Sequence, residues 1–336
     1  MARGVGWRLA LQSPAMTDIA YARKAAGHDP KKFVDPDCTA DGTPRAIVAF
    51  SGLETLWFNT GTLCNLTCTH CYMESSPTND RLVYLTMGDV TAYLDEIVAS
   101  RLATKEIGFT GGEPFLNPDM LDMLRAALAA GFRVLVLTNA MRPMQRHKKA
   151  LLALRESYGS KLVVRVSMDH YGKALHDKER GEGTWEKTLD GLKWLSRSGF
   201  TLHVAGRTCW GETVDALREG YGRLFRTHDI DIDATCADAL VLFPEMDMEE
   251  DVPEITEACW DRLGIAPGDI MCATSRMVVK RKGAAHPVVQ ACTLIAHDNA
   301  FEMGRSLKAA ASPVKLNHPH CARFCVLGGG SCSHLS

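Results

Sequence analysis

Residues 62–73 read TLCNLTCTHCYM, which sets Cys64, Cys68 and Cys71 within eight residues and places Tyr72 directly after the third thiol. A C-x3-C-x2-C loop can bind three irons of a cubane and leave the fourth open to an outside ligand, as a catalytic zinc site keeps one position open. The competing reading is a zinc loop of three cysteines, completed by His70 or by a distant residue. A strand is predicted at 56–60, just before the loop. The thiols therefore lie at a strand's C-terminal end, the face on which parallel barrels build their active sites.

Outward from this loop, strands and helices alternate. Apolar runs predict strands at 56–60, 106–110, 132–138, 162–168, 201–205 and 230–234. Between them lie helical patterns. Thr86 and Asp89 read as a capping box ahead of Val90, Tyr93, Leu94, Ile97 and Val98 at helical spacing. Asn117-Pro118 supplies an N-cap and first-turn proline for a helix that Gly131 ends. Helices are also predicted at 147–158, closed by Gly159, at 184–198, with Trp185, Leu189, Leu192 and Leu195 as its apolar seam, and at 213–226. Six such units argue a parallel α/β sheet with right-handed crossovers. Six are too few for a closed eight-fold barrel, so the expected architecture is an open, TIM-like partial (β/α)6 barrel; the small C-terminal domain that follows it is an iron–sulfur domain by the resemblance given below. The expected division is a loosely packed arm at 1–50, the barrel at 51–236 and the C-terminal unit at 237–336. In that unit, 277–281 and 288–291 read as a hairpin turning near Gly283.

The cysteine triplet resembles the signature of the radical S-adenosylmethionine (radical SAM) superfamily. Gly111-Gly112-Glu113-Pro114, after the second strand, resembles that family's GGEP motif. The resemblance covers residues 54–236. It implies a 4Fe–4S cluster on Cys64, Cys68 and Cys71, with S-adenosylmethionine chelating the open iron through its amino and carboxylate groups. Gly111 and Gly112 belong to the turn that approaches that ligand; Gly112 admits a close backbone, and Glu113 accepts from the ammonium. His70 corresponds to a planar residue packing near the adenine. Asn139, Ser167 and Arg207, ending the third, fourth and fifth strands, are candidate ligand contacts. Of these, Ser167 resembles the family's ribose- or carboxylate-contacting serine and Arg207 is suited to the methionine carboxylate.

Cys272, Gly283 and Cys292 resemble the opening of the SPASM and twitch extensions that hold additional 4Fe–4S clusters. CARFCVLGGGSC, from Cys321 to Cys332, resembles their closing part. The pattern departs from a full SPASM domain: the first closing pair is C-x3-C rather than C-x2-C, and the cysteines are too few for two clusters. The five suit one auxiliary 4Fe–4S cluster, with Cys272, Cys292, Cys325 and Cys332 the expected ligands and Cys321 the fifth candidate. The alternative is a cluster on three or four of them, with zinc or nothing on the rest. His318 and His320, flanking Pro319, are read as supporting or structural groups. Cys38, Cys209, Cys236 and Cys259 stand alone and read as small buried hydrophobes. Cys209 and Cys236, after the fifth and sixth strands, are also candidate hydrogen-atom donors to a substrate radical.

Composition narrows the class. The chain has 336 residues, 46% of them apolar, and a formal net charge of -2. That charge predicts no nucleic-acid partner, and Lys280-Arg281-Lys282 and Lys148-Lys149 read as solvated surface. No apolar run is long enough to span a bilayer. The first fifteen residues lack a secretory signal, and Met16 is an alternative start. A reducing cytoplasm is therefore expected, where clustered thiols are ligands rather than a disulfide framework. The resemblance implies reductive cleavage of S-adenosylmethionine to a 5′-deoxyadenosyl radical, with electrons from a flavodoxin or ferredoxin. The radical then abstracts hydrogen from a small metabolite or a peptide, for oxidation, bond formation or epimerisation. About fifty residues precede the loop, short for a leader-peptide-binding domain. The rival reading is a non-catalytic iron–sulfur or zinc scaffold or electron carrier.

Overall fold

Strands buried on both faces read as nearly continuous apolar runs, which is how parallel sheets announce themselves. The computed structural model describes residues 29–245 and 250–332. A short strand, β1 (Ile47–Val48), stands apart from the main sheet. The body of that sheet is β2 (Thr55–Asn59), β3 (Glu106–Thr110), β4 (Arg133–Thr138), β5 (Leu162–Ser167), β6 (Thr201–Arg207) and β7 (Leu240–Phe243), each parallel to the next. Helices Met87–Ala99, Met120–Ala129, Lys148–Tyr158, Thr184–Arg197 and Val214–Thr227 connect successive strands. The capping box holds as expected: the Thr86 hydroxyl accepts from Asp89 N, and the Asp89 carboxylate accepts from Thr86 N.

The hairpin is present, as β8 (Ser275–Val279) and β9 (Val288–Gln290), antiparallel to each other. It also joins the barrel sheet, which the sequence did not announce. β8 pairs parallel with β2, in register from Thr55 opposite Ser275 to Phe58 opposite Val278. The order is β7-β6-β5-β4-β3-β2-β8-β9, so β2 has parallel neighbours on both edges.

The side-chain period of two sorts the residues to two faces. Leu56, Phe58, Val134, Val136, Val164, Val166 and Val204 share one apolar cluster with the connecting helices. Trp57, Leu135, Val163, Met277 and Val279 belong to a second cluster, made with the C-terminal segment. Trp57 lies across β3, where only glycine fits; a Cβ on Gly108 would stand 2.4 Å from its ring.

Two local expectations are corrected. Residues 230–239 form no strand, and the sixth strand is β7. LVLF is a continuous apolar run and suits a doubly covered strand, whereas IDID would place carboxylates within the sheet. Cys236 consequently precedes β7 and stands at the strand-start edge, opposite the cysteine loop. The helix starts two residues later than expected, although Asn117 Oδ1 accepts from Asp119 N at 2.9 Å. Asn117 Nδ2 donates to the carbonyls of Thr60 (3.1 Å) and Leu85 (2.9 Å), and Asp119 occupies the cap position. Residues 1–28 lie outside the described range; 29–44 are mostly exposed, and the segment is anchored at its C-terminal end. β1 pairs with β10 (Val314–Lys315). Arg45 is fully buried, donating to the carbonyls of Asp35 and Cys38 and to Glu254 Oε1 at 2.7 Å.

The basic runs are consumed locally. Lys280 meets Asp89, Arg281 meets Glu302 and Lys282 meets Asp80, while Lys148 sits 5.0 Å from the Trp194 ring centre. Among the described residues, no helix is long and apolar enough to cross a membrane. Removing one partner of a buried ion pair leaves the other uncompensated, at a cost of about 3–5 kcal/mol. Arg45→Met should therefore lower the urea midpoint by a corresponding amount; an unchanged unfolding curve would show that residues 29–50 contribute nothing to stability.

Candidate active site

The cysteine loop and the GGEP turn are bound together through their backbones. Gly112 N donates to Gly61 O at 2.8 Å, and Glu113 N to Leu63 O at 3.1 Å. Gly111 has φ +143°, a conformation for which glycine is suited. A Cβ on Gly112 would stand 2.2 Å from the Leu63 carbonyl oxygen, so the approach requires glycine there. On the other side, Asn65 Oδ1 accepts from Asn139 Nδ2 at 2.9 Å, tying the loop to the end of β4. The sequence reading overlooked Asn65, a polar loop residue with no pattern around it.

Glu113 is buried beneath this junction. Its carboxylate accepts from Thr138 Oγ1 (2.8 Å), Asn139 N (2.9 Å) and Phe115 N (3.2 Å). Burial nevertheless pushes its pKa up to about 7 against those donors. Both oxygens thus face protein donors, and the residue acts as the internal brace of the turn. Cys64 is buried, Cys68 and Cys71 are partly so. Burial raises the Cys64 thiol to about 12. It raises Cys68 too, opposed by the nearby Arg180 guanidinium.

Arg180 is the second residue the sequence concealed. Glu179 is buried and Arg180 nearly so. Arg180 grips Asp169 through Nε (2.7 Å) and Nη2 (2.9 Å). Burial opposes ionisation of Asp169, but Arg180 outweighs it and holds the carboxyl below its usual range. The same guanidinium acts on Cys68 and Cys71, which places it beside the loop with Nη1 spare among the described residues. Glu179 accepts from His70 N (2.9 Å), faces His70 Nδ1 (2.8 Å) and accepts from Arg207 Nη1 (2.6 Å). Arg207 Nη2 is taken by Glu245 at 2.8 Å. Arg207 therefore ends β6 as expected but with both terminal nitrogens occupied by carboxylates. Ser167 ends β5. Cys209 follows β6 half-buried, its thiol raised to about 12 by burial and by Glu245.

Four of the five C-terminal cysteines converge. Cys272, Cys292, Cys321 and Cys325 line one apolar cavity with Ile270, Met271, Leu316 and the ring of His320. The void at its centre is about 10 Å³, on the order of one water. The lining presents four thiols and no carboxylate, the donor set that an iron–sulfur cluster takes. Cys332 stands outside the lining. Thr293 Oγ1 donates to its sulfur at 3.3 Å, and its carbonyl accepts from Arg165 Nη1 at 2.8 Å. The Gly328–Gly330 bend, with Gly329 at φ +59°, turns the chain towards β5 before it. Among the described residues, no three His, Cys, Asp or Glu side chains gather as the ligands of one ion would. A single zinc draws its donors to one point, whereas a cubane spreads them over four irons.

The two cysteine groups share a core. Cys71 and Tyr72 pack against the same apolar cluster as Cys272, Cys292, Cys321 and Cys332. Burial raises the Tyr72 hydroxyl above its usual range, with the thiols of Cys332 and Cys71 adding to the effect.

Residues 58–219 match the family model described as the Radical SAM superfamily. The subtilosin biosynthesis protein AlbA of Bacillus subtilis is 35% identical over 143 residues, which cover 42% of this chain and 30% of AlbA. The mycofactocin maturase MftC of Mycolicibacterium smegmatis is 27% identical over 156 residues, 46% of this chain and 38% of MftC. The chain thus matches well under half the length of these curated relatives. Among solved structures, SuiB of Streptococcus suis bound to S-adenosylmethionine superposes with a TM-score of 0.55 at 13% identity, covering 76% of this chain and 63% of SuiB. anSMEcpe with bound AdoMet gives 0.54 at 15% identity, covering 76% and 79%. At such identities the likeness establishes the fold. Over residues 58–219, just under half of the chain, the sequence is similar to the radical SAM superfamily.

Gly112→Ala tests the junction on which the site is built. The added methyl group meets backbone rather than a flexible side chain, so the cysteine loop must move. The variant should lose about four irons per reconstituted chain while keeping its far-ultraviolet circular dichroism; full iron loading would show that the loop tolerates the displacement.

Proposed function

We propose that this chain cleaves S-adenosylmethionine reductively and uses the radical to remove hydrogen from a peptide or small-metabolite substrate. The observation that carries the reading is a loop of three thiols hydrogen-bonded to a Gly-Gly-Glu-Pro turn and flanked by the Arg180 guanidinium. A 4Fe–4S cluster on Cys64, Cys68 and Cys71, when bound, supplies the electron for that cleavage. Arg180, held rigid by Asp169, is the residue we assign to the methionine carboxylate, in place of the doubly engaged Arg207. Asn139 and Ser167 lie at neighbouring strand ends and complete the ligand wall, with His70, fixed by Glu179, at its rim. Gly111 and Gly112 provide the close backbone and Glu113 braces it.

Cys272, Cys292, Cys321 and Cys325 are the set we assign to an auxiliary 4Fe–4S cluster, supported by their shared cavity. The boundary of that unit falls after β7, which completes the barrel. A peptide substrate draws support from the similarity to AlbA and MftC, named for bacteriocin biosynthesis and mycofactocin maturation. The fold is also that of SuiB solved with its precursor peptide SuiA. A flavodoxin or ferredoxin is the expected electron source. Cys209, beyond β6 at the C-terminal edge, is the remaining candidate hydrogen donor; Cys236, at the opposite edge, is not.

Replacing Cys64, Cys68 and Cys71 together by Ala should abolish 5′-deoxyadenosine release from reduced, reconstituted protein while about four irons remain. Continued release would refute the radical reading, and absence of residual iron would refute the auxiliary cluster. Arg180→Gln, at unchanged iron content, should weaken S-adenosylmethionine binding by roughly 1.5–3 kcal/mol, the value of a hydrogen bond to a charged group. Equilibrium dialysis measures this, and equal affinity would remove Arg180 from the ligand wall.

A further inference from the structure

A buried guanidinium is ordinarily paired with an acid, because an unpaired charge in a low-dielectric interior is costly. Arg45, Arg180 and Arg207 obey this rule, against Glu254, Asp169, and Glu179 with Glu245. Arg276 does not. It sits on β8, 1% exposed, and is locked by carbonyls alone. Nε donates to Ala310 O (2.9 Å), Nη1 to Cys272 O (2.5 Å) and Ser275 O (2.7 Å), and Nη2 to Ser312 O (2.9 Å). Its Cζ lies 4.3 Å from the Phe50 ring centre. No carboxylate reaches it among the described residues. The ionisable groups that act on it are the thiols of Cys272 and Cys292, two of the four lining the cavity. Burial brings its pKa down to about 10, so it stays a cation at neutral pH.

We propose that Arg276 is the counter-charge of the auxiliary cluster and raises its reduction potential. The inference rests on the reading that Cys272, Cys292, Cys321 and Cys325 hold a 4Fe–4S cluster. The donor set fits that group: all four thiols must lose protons to bind it, and a cubane with four thiolates is a dianion. One electron makes it a trianion. A fixed cation hydrogen-bonded to the backbone of a ligand cysteine, Cys272, stabilises the trianion more than the dianion, because the Coulomb term grows with the charge. Net charge and burial are established levers on cluster potential. Arg276 therefore positions charge, not substrate. Its four carbonyl bonds keep that charge from swinging to solvent, and in their thiol form the cysteines leave it with no anion at all.

The test uses the full chain carrying the triple Ala replacement of Cys64, Cys68 and Cys71, so that only the C-terminal cluster is present. Iron content and the midpoint, by dithionite titration followed by electron paramagnetic resonance, are read for the parent and for Arg276→Met, Arg276→Gln and Arg276→Lys. The neutral variants should shift the one-electron equilibrium at least tenfold towards the oxidised cluster, which is about 59 mV lower. Arg276→Lys should stay near the parent. If the neutral variants hold no iron while Arg276→Lys does, charge is required for loading and the proposal stands in stronger form. An unchanged midpoint in a fully loaded neutral variant overturns it. So does loss of iron from Arg276→Lys, which would show that the carbonyl clamp matters and the charge does not. A parent chain without iron refutes the auxiliary-cluster reading itself, a result distinct from either.

Discussion

β2 has a parallel partner on each edge, and the rest of the site hangs from that arrangement. Its pairing with β3 brings the GGEP turn to the cysteine loop, because both follow the C-terminal ends of adjacent parallel strands. Its pairing with β8 does the reverse at the other end. Cys272 precedes β8 by three residues, so it enters near the start of β2, where Thr55 lies opposite Ser275. One five-residue strand thus carries a thiol group near each end. Parallel pairing has a geometric consequence here: like ends must coincide, so the order of the chain decides which cysteines share an end.

The two faces of the sheet divide the labour. Helices cover one face and make a conventional core. The other receives the C-terminal segment, and with it the thiols, Tyr72, Trp57 and Arg165. Burial on this inner face explains the raised thiols, because each would have to ionise without water. It also explains why charges there are organised so tightly. Arg180 and Arg207 are neighbours in space through Glu179, and three carboxylates balance two guanidinium groups between them. That network sits beside Cys68 and Cys71, and it keeps the spare nitrogen of Arg180 in a fixed position. A preformed donor costs little ordering when a ligand arrives.

Much of this was legible from residue order. The cysteine spacing, the Gly-Gly-Glu-Pro turn and the β/α alternation are local signals, and local geometry suffices to express them. The Thr86–Asp89 capping box, the ends of most helices and the hairpin at Gly283 are of the same kind. Arg207 and Ser167 were correctly placed at strand ends for that reason. IDID misled because alternation alone does not tell a half-buried strand from an irregular segment packed under a helix.

What only the tertiary structure decided are relations between segments far apart in the chain. Residues 29–50 look like an arm until Glu254, more than two hundred residues later, meets Arg45. Arg180 carries no local signal, and only the fold pairs it with Asp169 beside Cys68 and Cys71. Spacing does not separate Cys321 from Cys325, and in the fold both line the cavity, while Cys332, expected as a ligand, is carried by the glycine bend to Arg165 and Thr293. Sequence determined which groups the chain carries and on which strand ends they fall, because propensity and periodicity act over a few residues. Which buried charge met an acid and which met only thiols was decided by packing, because a charge's environment is set by whatever the fold brings within a few ångströms of it.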